Sequence, residues 1–172
     1  MKWANKKETY IVTLLTILCI VCFPFNPLVF TGLIKVESYN VLSVLGWVVW
    51  AFGMVLVIAP FVMFPRKGGV TKGKSYIHTT RLVDTGIYAV VRHSQYTGGI
   101  YAIFIATFLL YPHWLFAVLG VAGIIITYLG IKEEDRRLIK KFGSEYEAYM
   151  QRVPGMNIFL GIFRLWRRNM QR

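Results

Sequence analysis

The chain has 172 residues, 56% of them hydrophobic, with a net charge of +12 and a mean hydropathy of +0.51. The length suits one domain, and so apolar a composition argues against an ordinary soluble globule and for a polytopic membrane protein. The only cysteines, Cys19 and Cys22, form a C-x-x-C inside an apolar run, where a redox or metal role lacks polar partners; they read as buried, inert thiols.

Four apolar segments follow one another, at residues 10–30, 40–64, 96–111 and 114–131, each approaching the ~20 residues that span a bilayer. The first is too long for a secretory signal and no small-residue cleavage site follows it, so it reads as a retained membrane helix. Pro24 and Pro27 should kink it or end it early. In the second, Pro60 is internal, Pro65 closes the segment, and Gly46 and Gly53 allow close helix approach. Pro112-His113 is a tight link that makes segments three and four an antiparallel hairpin.

Nineteen of the twenty lysines and arginines fall in the N-terminal tail, the loop after segment two and the region from Lys132 onward; only Lys35 falls in the other links. The positive-inside rule therefore puts both termini and the central loop in the cytoplasm. Anionic lipid headgroups, rather than nucleic acid, are the natural partners of these cations.

Residues 65–95 form a polar linker that contains G-G-V-T-K-G-K-S at 68–75, a literal match to the phosphate-loop pattern. That pattern needs a strand before it and a helix after it. A membrane helix and Pro65 precede it here, so a basic surface loop is the better reading. The stretch G-I-Y-A-V-V-R-H-S-Q-Y-T-G at 86–98 closes the linker. It gathers an arginine, a histidine and two tyrosines; on a helix Tyr88, Arg92 and Tyr96 would stack at i, i+4 and i+8. The plainer alternative is a boundary arginine with an interfacial aromatic belt.

Beyond segment four, Lys132-Glu-Glu-Asp-Arg-Arg-Leu138 continues the helix out of the bilayer. Leu138, Phe142, Tyr146, Tyr149 and Val153 keep one apolar face. Gly143 breaks the helix as its C′ residue, Ser144 with Glu147 forms a capping box for a second short helix, and Pro154 follows it. The tail, residues 158–172, alternates bulky apolar residues with arginines, as an interfacial helix does. Glu133 and Glu134 sit where segment four leaves the membrane, at the depth of Arg92 and His93. Carboxylates there need water or a partner: either Glu133, Glu134 and Asp135 pair with Arg136, Arg137 and Lys140 on a solvated face, or Glu133 and Glu134 join Arg92 and His93 in a pocket.

G-I-Y-A-V-V-R-H-S-Q-Y-T-G, a membrane hairpin, and K-E-E-D-R-R-L-I-K-K-F-G-S-E-Y-E-A-Y-M-Q-R-V-P together resemble the isoprenylcysteine carboxyl methyltransferase family, part of a broader group with membrane phospholipid methyltransferases. The resemblance covers about residues 82–155. It implies an all-α integral membrane methyltransferase that uses S-adenosylmethionine, with about four transmembrane helices and a cytoplasmic C-terminal helical region that binds the cofactor. The chain is then one domain: two membrane helices (1–64), a cytoplasmic linker and site (65–95), a membrane hairpin (96–131), and cytoplasmic helices with an interfacial tail (132–172). By motif position Tyr88, His93 and Tyr96 line the cofactor pocket, Glu133 and Glu134 hold the polar end of the cofactor, and Tyr146 and Tyr149 close a lid. Arg92 orients the acceptor, or else meets the cofactor carboxylate, and Arg92 and Glu134 are the catalytic candidates.

The implied partners are a lipophilic methyl acceptor and membrane lipids, with no metal. Ser94 stands where the family motif has proline, which frees the turn after His93, and Gly-Met-Asn after Pro154 departs from the prenylcysteine pattern. Methyl transfer asks for in-line approach and exclusion of water. An amine or phenol acceptor must also lose a proton, to His93 or Glu134. A non-catalytic membrane scaffold and a sterol-type reductase are the competing readings.

Overall fold

The computed structural model describes residues 14, 17, 19, 22, 23, 26–37, 39–69 and 79–171. Most of the first apolar segment, with Pro24, lies outside these residues, as do the N-terminal lysines and residues 70–75 of the phosphate-loop pattern. Among the described residues every regular element is helical. In chain order these are α1 (Pro27–Phe30), α2 (Asn40–Lys67), a 3₁₀ turn (Gly86–Ala89), α3 (Ser94–Leu110, π-helical over Ile100–Ile105), α4 (Trp114–Phe142), α5 (Ser144–Arg152) and α6 (Ile158–Met170).

α2 and α4 are long and apolar enough to cross a membrane, and only 17% and 28% of their most apolar stretches are buried. Side chains such as Val41, Val44, Val48, Val55, Val118, Val121 and Ile125 are instead exposed, as lipid-facing positions are. α2 runs through Pro60 and Pro65 to Lys67, so Pro65 does not close the segment as its sequence predicts. α4 has 29 residues and is therefore about 44 Å long. A bilayer core of about 30 Å leaves its charged end, from Lys132, outside the apolar layer.

The chain divides into two compact units, residues 1–54 with 98–132, and residues 55–97 with 133–172. The first is held by close helix packing. A Cβ on Gly53 would lie 2.6 Å from the Ala102 nitrogen and 2.7 Å from the Gly98 carbonyl oxygen. On Gly46 it would lie 2.8 Å from the Leu110 side chain. Both are the close-approach glycines read from the sequence. Phe104 fills the space over Gly120 and Gly123, which closes α3 and α4 as the expected hairpin. The Thr107 hydroxyl donates to the Cys22 carbonyl.

In the second unit Tyr146, Tyr149 and Val153 are buried against Leu82, Leu138, Ile139, Phe142 and Met150, so the apolar face predicted for this region is its core. Gly143 ends α4 with φ +59° and ψ −138°, a positive-φ conformation open to glycine because it has no Cβ. The capping box does not form: Gly143 itself caps α5, with no side-chain bond, and Ser144 is the first helical residue. Past α5 the chain turns back, and Asn157 caps α6 by accepting from the Leu160 N–H at 2.9 Å.

Candidate active site

The second unit carries the site. Residues 86–93 are not α-helical: Tyr88 lies in the 3₁₀ turn, residues 90–93 form a bend, and α3 begins at Ser94. The i, i+4, i+8 stack of Tyr88, Arg92 and Tyr96 therefore does not arise. In a bend the backbone N–H groups need acceptors from elsewhere. The segment after α5 supplies them: Pro154 O accepts from Arg92 N at 3.1 Å and Gly155 O from His93 N at 3.0 Å. Arg92 Nε donates to Val153 O at 2.9 Å. This clasp holds the Arg-His pair on the end of α5.

The carboxylate that meets this pair is Asp135. Its Oδ1 accepts from Arg92 Nη1 at 2.7 Å, from Tyr146 OH at 2.5 Å, and lies 2.7 Å from His93 Nε2. The Arg92, His93 and Asp135 side chains are only 9%, 4% and 15% exposed. Burial pushes the Asp135 carboxyl up, but the hydrogen bonds from His93 and Tyr146 and the positive field of Arg92 outweigh it and hold the group below the usual carboxylate range. With Asp135 ionised, His93 Nε2 is the protonated nitrogen facing it. Burial, then the hydrogen bond and the charge of Asp135, push the Tyr146 phenol well above its ordinary value. Burial does the same for Tyr149, whose OH donates to the Tyr88 carbonyl at 2.6 Å.

Glu133 and Glu134 both form the ion pairs of the solvated-face alternative, and Glu134 also lines a cavity. Glu133 pairs with Arg136 at 3.0 Å and Glu134 with Arg137 at 2.5 Å, each one turn along α4. Helical geometry explains the split. With ~100° per residue, Asp135 falls on the face of Leu138 and Phe142, Glu134 at its edge, and Glu133 opposite.

A cavity of about 490 Å³ is lined by Tyr88, Arg92, His93, Ser94, Tyr96 and Glu134, and Pro60, Phe64, Leu138, Arg137 and Lys141 are also in its wall. Phe64 stacks on Tyr88 with centroids 5.0 Å apart, and His93 meets Tyr96 edge-on at 5.9 Å. Ser94 is buried and donates to the Tyr88 hydroxyl at 3.2 Å, a bond that a proline could not make. Tyr146 and Tyr149 line an adjoining recess of about 70 Å³ that shares Phe64, Tyr88 and Arg92 with the cavity. Glu133 is not among the residues lining either one. Asp135, Phe64 and the residue 153–155 clasp are the parts that sequence reading did not single out. Only Asp135 had a signal, its register with Leu138.

The arrangement joins stacked aromatic faces, a fixed guanidinium, a carboxylate at the rim and a buried imidazole. It can hold a ligand with a flat ring, a cationic centre and a zwitterionic end. Among the described residues no cluster of side chains has the makings of a metal site.

The family model for phospholipid methyltransferases matches residues 41–145. Methanethiol S-methyltransferase 1 of Bradyrhizobium diazoefficiens is 42% identical over 67 residues, 39% of this chain and 22% of that protein. Methanethiol S-methyltransferase of Pseudomonas deceptionensis is 25% identical over 156 residues, 86% of this chain and 57% of that protein. Protein-S-isoprenylcysteine O-methyltransferase B of Arabidopsis thaliana is 28% identical over 120 residues, 63% of this chain and 58% of that protein. The chain thus spans less than two thirds of the length of each of these relatives. No solved structure matches it.

Proposed function

The chain belongs to the phospholipid methyltransferase family, and from that premise we propose that it transfers a methyl group from S-adenosylmethionine to a lipophilic acceptor at the cytoplasmic membrane face. The observation that carries this reading is the cavity that joins Tyr88, Arg92, His93, Tyr96 and Glu134. Its size lies within the range of pockets that enclose small organic ligands. The charge asymmetry of the loops supports a multi-pass protein with about four membrane helices and both termini cytoplasmic.

The residues fit the cofactor. Phe64 and Tyr88 offer a stacking face for a purine. Tyr88 and Tyr96 offer aromatic faces for a sulfonium cation. Glu134 would take an ammonium group, and Arg137 and Lys141 beside it would take a carboxylate. S-adenosylmethionine supplies an already activated methyl group when bound, so the protein's work is alignment and exclusion of water.

Arg92 is held on three sides, by Asp135, Tyr146 and Val153, and so presents its remaining N–H groups in one direction to orient an acceptor. Tyr146 and Tyr149 hold Arg92 and Tyr88 from beneath. Where the acceptor must lose a proton, His93 is the group to take it, with Asp135 stabilising the imidazolium.

A second reading concerns the acceptor. The relatives named for methanethiol favour a small thiol, methylated on sulfur, over a prenylated carboxylate. Calorimetric titration of S-adenosylhomocysteine into the detergent-purified chain tests the cofactor. Binding by wild type, weakened about tenfold or more by Glu134→Gln through loss of a charge-assisted hydrogen bond, is expected. No binding by folded wild type would transfer the weight to a non-catalytic membrane scaffold. Turnover with methanethiol set against a prenylated cysteine then separates the two acceptors.

A further inference from the structure

α6 is built the wrong way round for a helix that serves only to cover the protein. Its protein-facing side is formed by Ile158, Gly161, Arg164, Leu165 and Arg168, all buried or half-buried. Gly161 lies so close to the Val90 carbonyl that no Cβ would fit. Arg168 donates to Arg152 O at 2.7 Å and to Ala89 O at 3.1 Å, and Arg164 to Gln151 O at 3.2 Å. The most apolar side chains point the other way. Phe159, Ile162, Phe163, Trp166 and Met170 share one stripe, and they are 53–80% exposed.

A helix in water turns such a stripe inward; one that turns it outward while its arginines hold the protein has an apolar partner outside. The partner's chemistry follows from the flanks. Residues 158–172 contain four arginines and no acidic residue, and Arg167 is exposed beside the stripe. An aromatic stripe edged by arginines matches the boundary between acyl chains and anionic headgroups.

We propose that α6 is an interfacial anchor seated on an anionic phospholipid surface. It is fastened through Gly161 and Arg168 to the Ala89-Val90 turn, the turn that carries Tyr88 and leads into Arg92. The anchor therefore fixes the height of that turn against the lipid surface. This goes beyond the proposed activity, and its test requires no methyl transfer, so the two stand or fall separately.

The test uses the full chain reconstituted in vesicles of phosphatidylcholine, with and without phosphatidylglycerol, with bromine on the upper acyl chain as a fluorescence quencher. Subtracting the emission of Trp166→Phe isolates Trp166 from the other four tryptophans. We expect Trp166 to be quenched, more so with phosphatidylglycerol, and Arg167→Gln to reduce that added quenching. Phe163→Asp should lower Trp166 quenching while far-UV circular dichroism stays that of wild type. A Trp166 difference emission that the brominated chains leave unquenched would overturn the proposal. Crosslinking of copies through an introduced Trp166→Cys would also overturn it, by assigning the stripe to a second copy of the chain.

Discussion

Replacing Asp135 by asparagine tests whether one oxygen organises the site. Asp135 Oδ1 is met by Arg92 Nη1, Tyr146 OH and His93 Nε2 within 2.7 Å. A hydrogen bond to a charged group is worth about 1.5–3 kcal/mol and a neutral one about 0.5–1.5. Asparagine keeps the oxygen and the shape but loses the charge, which removes roughly 1 kcal/mol from each of the contacts. The Asp135 side chain keeps some water contact, at 15% exposure, and that screening reduces the total to about 2 kcal/mol. For a chain of this length that is a loss of roughly 4–8 °C in Tm, read by thermal unfolding in detergent. Glu133→Gln is the control. Its pair with Arg136 is exposed and is worth only about 0.2–1 kcal/mol, so its Tm should move by a fraction of that shift. An Asp135→Asn Tm no lower than that of Glu133→Gln would refute the assignment of Asp135 as the carboxylate that holds Arg92 and His93.

The same network sets a pH dependence at both ends. The folded state depresses the Asp135 pKa; its contribution is therefore complete above the ordinary value of about 3.9 and is lost as pH falls through the lower folded-state value. Wild type should lose stability more steeply than Asp135→Asn below about pH 4, and parallel acid curves would exclude this coupling. The Tyr146 phenol is raised instead, so its contribution is complete below about pH 10 and is lost as pH climbs above that. Tyr146→Phe should flatten the alkaline limb of a stability–pH curve. In the first unit, Gly53→Ala places a methyl against the backbone at Gly98 and Ala102. We expect a cost of about 1–3 kcal/mol, seen as a lower Tm in detergent, and an unchanged Tm would mean that the helices separate freely there.

Much of the helical plan was legible because it depends on local rules. Apolar length marked α2 and α4, and a glycine after a lysine-rich helix end marked the break at Gly143. The spacing of Leu138, Phe142, Tyr146, Tyr149 and Val153 marked the core of the second unit before any coordinates. Of the residues the resemblance implies, Tyr88, Arg92, His93, Tyr96 and Glu134 line one cavity, Tyr146 and Tyr149 line the adjoining recess, and Glu133 lines neither. Local rules failed at the 86–93 stretch. Its residues are compatible with a helix, yet the chain bends there because Val153, Pro154 and Gly155, some sixty residues away, accept its hydrogen bonds.

Sequence by itself thus determined the apolar helices, their charged ends and the family, since all three rest on composition, periodicity and motifs along one strand of chain. Tertiary structure alone decided which carboxylate is central. Glu133, Glu134 and Asp135 differ little as sequence neighbours. They part company only when α4 turns one of them onto the face where Arg92, His93 and Tyr146 converge, and burial there makes an ionised partner obligatory for a buried guanidinium.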